Sequence, residues 1–96
     1  MSLLIDPTHP GDVLSELYLL PLGMKAPTLA KQLRVPRTRI ERLIKGETGL
    51  TADTAMRLAA FFQTTPEYWM NLQRAWDLAR ARETVDVSDI EPLRAA

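Results

Sequence analysis

Between Pro36 and Gly46 the chain reads PRTRIERLIKG, and its polar side chains are of types that read nucleic acid. Arginine can donate two parallel hydrogen bonds to the O6 and N7 edge of guanine. Threonine can bond a base or pack on the thymine methyl. Wound as a helix at roughly 100° per residue, Arg37, Thr38, Glu41, Arg42 and Lys45 fall on one side, and Ile40, Leu43 and Ile44 on the other. The aliphatic side would fasten the helix to a core so that the cations project together. Arg37 and Thr38 at the helix start, and Arg42 one turn on, are the candidate base readers. Glu41 has two readings: it accepts from a cytosine amino group, or it pairs with Arg37 or Lys45 one turn away. Lys25, Lys45 and Thr48 are placed for phosphate. Arg39 lies on the border of the aliphatic side, where a phosphate contact and a partly buried role are both open.

The total charge hides this segment. The chain carries twelve basic and twelve acidic side chains, yet residues 25–46 hold seven of the bases and one acid. Residues 1–24 hold three acids and no lysine or arginine. Such a local potential attracts a polyanion even when the whole molecule is neutral. A run of charge is more often a solvated helix face. Here the density and the one-sidedness of the cations favour nucleic acid.

The elements that must hold this segment are expected to be helices, because no sustained alternation of period two precedes the last dozen residues. The first begins near Pro10, capped by Thr8 or His9, and should stop before Pro21. Leu22 and Gly23 then form a turn. The second starts close to Pro27 and covers 28–34, with Leu29, Ala30 and Leu33 as its buried stripe. The third starts at Pro36 and ends in a left-handed cap at Gly46. Two short helices about three residues apart have the form of a helix-turn-helix, whose second helix enters the major groove of DNA. Thr51 and Asp53 announce a fourth helix over 52–62, with Ala55, Leu58, Ala59 and Phe62 inward. Thr65, Pro66 and Glu67 open a fifth over about 66–82. Its inner arc is Tyr68, Trp69, Leu72, Ala75, Trp76 and Ala79, whereas Met70, Leu78 and Ala81 lie off that arc. The tail suits a strand, a helical turn or disorder.

Ninety-six residues suffice for one domain, of stability about 5–15 kcal/mol. Without cysteine there is no disulfide framework and no thiolate metal site. No secretory signal opens the chain, and no apolar run approaches the roughly 20 residues needed to span a bilayer. A soluble cytoplasmic protein is expected. The single histidine, His9, precedes Pro10 at a helix start, where capping is its natural role. No Gly-rich phosphate loop, HExxH or activated nucleophile is present, so no enzyme, metal or cofactor is expected.

Three stretches carry a family likeness: HPGDVLSELYLLPLGM at 9–24, TLAKQLRVPRTRIERLIKGETGLTADTAMRLAAFF at 28–62, and TPEYWMNLQRAWDL at 65–78. They resemble the Cro/C1-type (XRE) helix-turn-helix proteins and, more narrowly, the HigA antitoxins, also called VapI-like. The resemblance implies an all-α, five-helix lambda-repressor-like domain over 1–83 with a tail at 84–96. It also implies a homodimer on a palindromic operator, repression of its own promoter, and a small HigB-type ribonuclease toxin as partner. Met70, Leu78 and Ala81 become the candidate dimer interface. Two positions depart from the family pattern. Arg34 stands where the turn usually has glycine, so it is strained or the turn differs. Ala26 stands where a polar residue usually bonds phosphate, which shifts that role to Lys25 or Thr28. A solitary regulator without a toxin, and a protein-interaction module indifferent to DNA, are the competing readings.

Overall fold

The structure is a computed structural model, and it describes residues 7–94. Residues 1–6 and 95–96 of the expected domain and tail lie outside the described residues. Among the described residues there are five helices and no strand. Helix α1 is continuous through three segments, Pro10–Val13, Leu14–Leu19 and Leu20–Leu22. Then come α2 (Ala26–Leu33), α3 (Arg37–Ile44), α4 (Ala52–Phe62) and α5 (Pro66–Thr84).

Local chemistry explains the starts. His9 Nδ1 accepts from the Gly11 N–H at 2.9 Å, and Pro10 supplies a φ already suited to a first turn. Thr51 and Thr65 accept from the N–H groups of Thr54 and Tyr68. The ends share one device. In α1 to α4 the residue after the last turn, Gly23, Arg34, Gly46 or Gln63, is left-handed, with φ of 60°, 61°, 75° and 57°. The N–H after it returns to a carbonyl five residues back, as from Val35 to Ala30 and from Glu47 to Arg42. This is the Schellman closure, which satisfies carbonyls that the helix leaves open.

The core joins all five helices. Leu14, Leu29, Ile40, Leu43, Leu58 and Trp69 are fully buried, with Leu19, Leu33, Leu50, Ala55 and Ala59 around them. Tyr18, Phe62 and Trp69 pack ring on ring at its edge, and Trp69 Nε1 donates to Thr64 Oγ1 at 2.8 Å.

Several expectations need correction. Helix α1 does not stop before Pro21 but runs to Leu22. Residues Leu14–Leu19 form a π turn in which the Leu20 N–H reaches Ser15 O. Widening the ladder just ahead of the proline gives its ring room and leaves its missing N–H without consequence. Helix α5 extends to Thr84 rather than about residue 82. Ala75, expected inward, is exposed, and Gln73 takes the buried place one turn beyond Trp69. Gln73 Oε1 accepts from Leu50 N at 2.6 Å and its Nε2 donates to Asp77 at 2.8 Å, so the buried amide is satisfied. Met70 does not face water, since it packs half-buried against the core. Residues 85–94 form no strand or helix and are exposed throughout.

The radius of gyration, 16.6 Å, exceeds the about 12 Å of a compact domain of this length. Beyond Gln73 no described residue is buried, so the end of α5 and the tail add length without adding to the core.

Candidate nucleic-acid interface

Helix α3 is held from beneath by apolar burial. Ile40 and Leu43 are fully buried and Ile44 is half-buried. Each of the two buried side chains contributes about 1.5–3 kcal/mol, well above any exposed ion pair on this helix at about 0–1 kcal/mol. The helix is also approached closely by α1. A Cβ on Gly11 would collide with the main-chain carbonyl of Leu43. Only glycine permits that crossing, which sets the height of α3 on the domain.

The opposite side of α3 is polar and open. Arg37, Thr38, Arg42 and Lys45 are exposed, as are Lys25 and Thr28 near the start of α2. Thr48 is half-buried. With Thr38, Arg39, Arg42 and Thr51 it lines a groove of about 370 Å³ between α3 and the start of α4. Arg37 Nε lies 3.3 Å from Glu41, one turn on, and Arg42 Nε lies 3.6 Å from Glu47. Glu41 is therefore paired with Arg37 in the free protein. Both pairs are solvent-exposed and weak, so exchanging the carboxylate for a base edge or a phosphate costs little.

Arg39 is placed differently from its neighbours. Its Nη1 donates to Asp53 Oδ1 at 2.7 Å, across to α4. Hydrogen bonds from Arg57 and then Arg39 hold the Asp53 carboxyl below its ordinary value of 3.8. Arg57 also donates to the carbonyl of Leu33 at 2.8 Å. The turn between α2 and α3 keeps the left-handed geometry that usually calls for glycine, with Arg34 adopting it. At the start of α2, Lys25 makes no side-chain cap.

The three candidate interface residues on α5 differ in environment. Leu78 is 43 % exposed, Ala81 is half-buried, and Met70 is largely occupied by its own core. Sequence reasoning missed Gly11, Gln73, Asp53 and Arg57 as residues that position α3 and its loop. The Asp53–Arg57 spacing of one helical turn was the only local signal, and it does not reveal the partners on α2 and α3. No described helix is long and apolar enough to cross a membrane.

Known proteins share this arrangement. The helix-turn-helix family matches residues 16–69. The chain is 44 % identical over 75 residues to virulence-associated protein I of Dichelobacter nodosus, covering 78 % of this chain and 69 % of that protein. It is 37 % identical over 89 residues to antitoxin HigA-1 of Vibrio cholerae, covering 91 % and 84 % of the two chains. In solved structures it is similar to the antitoxin GraA in complex with its operator, with a TM-score of 0.88, 33 % identity and 99 % of both chains covered. With a matched helix-turn-helix that displays its cations outward, the chain belongs to the Cro/C1-type (XRE) helix-turn-helix family, a DNA-binding and non-enzymatic class, and within it to the HigA-like proteins.

Proposed function

We propose that this protein is the antitoxin of a type II toxin–antitoxin pair. It acts in the cytoplasm as a homodimer that binds a palindromic operator, represses its own promoter and neutralises a HigB-type ribonuclease. The observation that carries the DNA part is the division of α3, with Ile40 and Leu43 buried and Arg37, Thr38 and Arg42 open to solvent. Arg37, Thr38 and Arg42 read bases. Glu41 orients Arg37 in the free protein and can accept from a cytosine amino group once Arg37 turns to DNA. Lys25, Thr28, Lys45 and Thr48 contact the phosphate backbone. A two-fold dimer sets its two α3 helices about 34 Å apart, one turn of the duplex. The end of α5, which buries no side chain in the core, supports such a dimer, with Leu78 and Ala81 in the seam. The relatives named as antitoxins support the toxin partner.

Selection from a random duplex pool tests the reading. A short palindrome should be enriched, and a pool left without sequence preference would sink it. On the selected duplex, Arg37→Ala should weaken binding by about 1–3 kcal/mol and relax preference at one base pair. Lys45→Ala should weaken all sequences alike and reduce the salt dependence by about 0.9 in log–log slope. Base selectivity that changes with Lys45→Ala would reverse these roles. For the toxin, co-expression with the small protein encoded beside this chain should give a stable complex and suppress its ribonuclease activity. A neighbouring frame with no such product would leave a solitary regulator.

A further inference from the structure

One carboxylate oxygen ties together both helices of the helix-turn-helix and the helix behind them. Asp53 Oδ1 accepts from Arg39 Nη1 and from Arg57 Nε, each at 2.7 Å. Arg57 Nη1 then donates to Leu33 O at 2.8 Å and points at Arg34 O at 3.5 Å. The Schellman closure at the end of α2 occupies the carbonyls of Ala30 and Lys31. Leu33 O is among those that remain open at a helix end, and Arg57 takes it. The same turn carries Arg34 at φ 61°. For an L-residue that conformation costs about 1–2 kcal/mol and persists only where the surroundings impose it.

We propose that Asp53 is a positioning residue for DNA binding, locking the α2–α3 turn through Arg57 and the first turn of α3 through Arg39, so that Arg39 serves the fold of the reading head and not a phosphate. The DNA half of this inference rests on the function proposed above, and the turn half stands on geometry alone. The division follows from charge as well as distance. Arg37 and Arg42 are paired to acids on α3 or just beyond it, whereas Arg39 is paired to a different helix. Two guanidiniums converge on a single carboxylate, so losing Asp53 sets two like charges against each other. It also frees Arg57 from the orientation that caps Leu33.

The test uses the full chain with Asp53→Asn, Arg39→Gln, the double variant and Asp53→Glu. Amide hydrogen exchange at Arg34 and Val35, whose N–H groups close the turn, is read without DNA. Affinity for the selected duplex is read across a salt series. Asp53→Asn should speed exchange at both amides several-fold, Asp53→Glu should restore part of the protection, and circular dichroism should show all variants folded. On DNA, Asp53→Asn and Arg39→Gln should each lower affinity several-fold with the salt slope unchanged, and the double variant should be no worse than the poorer single one. A phosphate role predicts the opposite. Arg39→Gln would then reduce the slope by about 0.9, while Asp53→Asn would tighten binding by freeing a cation. Either result overturns the proposal, as does unchanged exchange at Arg34 and Val35. If the wild-type chain selects no duplex, the DNA reading fails, and the exchange measurement still decides whether Asp53 locks the turn.

Discussion

At the scale of single residues, the interface depends on what each polar atom already holds. All three pairs are exposed, but Arg37 and Arg42 hold acids on α3 or just beyond it, while Arg39 holds Asp53 on α4 at 2.7 Å, on a carboxylate oxygen shared with Arg57. The same logic applies in the core edge. Tyr18 donates its hydroxyl hydrogen to Tyr68 Oη at 3.2 Å. Burial, then that hydrogen bond, push the Tyr18 phenol up from 10.0 to about 12. The folded state therefore favours the neutral phenol. Its contribution to stability is complete below pH 10 and is lost as pH rises toward 12. Thermal melts across that window should show a falling midpoint, and Tyr18→Phe should flatten the fall. An equally steep fall in the Phe variant would place the titrating group elsewhere.

At the scale of elements, the helix starts were legible because caps, prolines and first-turn acids act within four residues. Thr51, Thr65 and His9 do what their types suggest. Ends and buried faces were less legible. Pro21 reads as a stop, yet a π turn ahead of it carries α1 to Leu22. Arg34 and Gln63 occupy left-handed positions without glycine's freedom. Arg34→Gly should stabilise by up to about 1 kcal/mol, because relief of the left-handed strain outweighs the added flexibility of the unfolded chain. A lower urea midpoint for Arg34→Gly would mean that the arginine side chain contributes more than its backbone strain. Gln73 was invisible for a different reason: a polar residue is assigned outward unless its partner is known. Gln73→Ala leaves the buried Leu50 N–H without an acceptor and should destabilise by about 1–3 kcal/mol in urea unfolding. A loss under half that would mean the loop finds another acceptor.

At the scale of the whole molecule, one end is packed and the other is not. The first turns of α5 complete the core through Trp69. Its end, with Leu78, leads into a tail whose Val85, Val87, Ile90 and Leu93 are exposed. A second copy of the chain is the partner that our functional proposal gives this end. Leu78→Glu should shift the sedimenting species from dimer to monomer and weaken operator binding without altering base preference. A variant that still sediments as a dimer would move the seam away from Leu78.

Local rules determined much of this protein from its sequence: five helices, a cationic face on the third with aliphatic residues behind it, and the caps. Each follows from helical period or from hydrogen bonds spanning a few residues. The tertiary structure alone decided that Gly11 lets α1 cross against Leu43, that Gln73 is buried, and that Asp53 gathers Arg39 and Arg57. These depend on groups up to 32 positions apart being brought within bonding or collision distance, and the pattern along a chain has no periodicity that records such meetings.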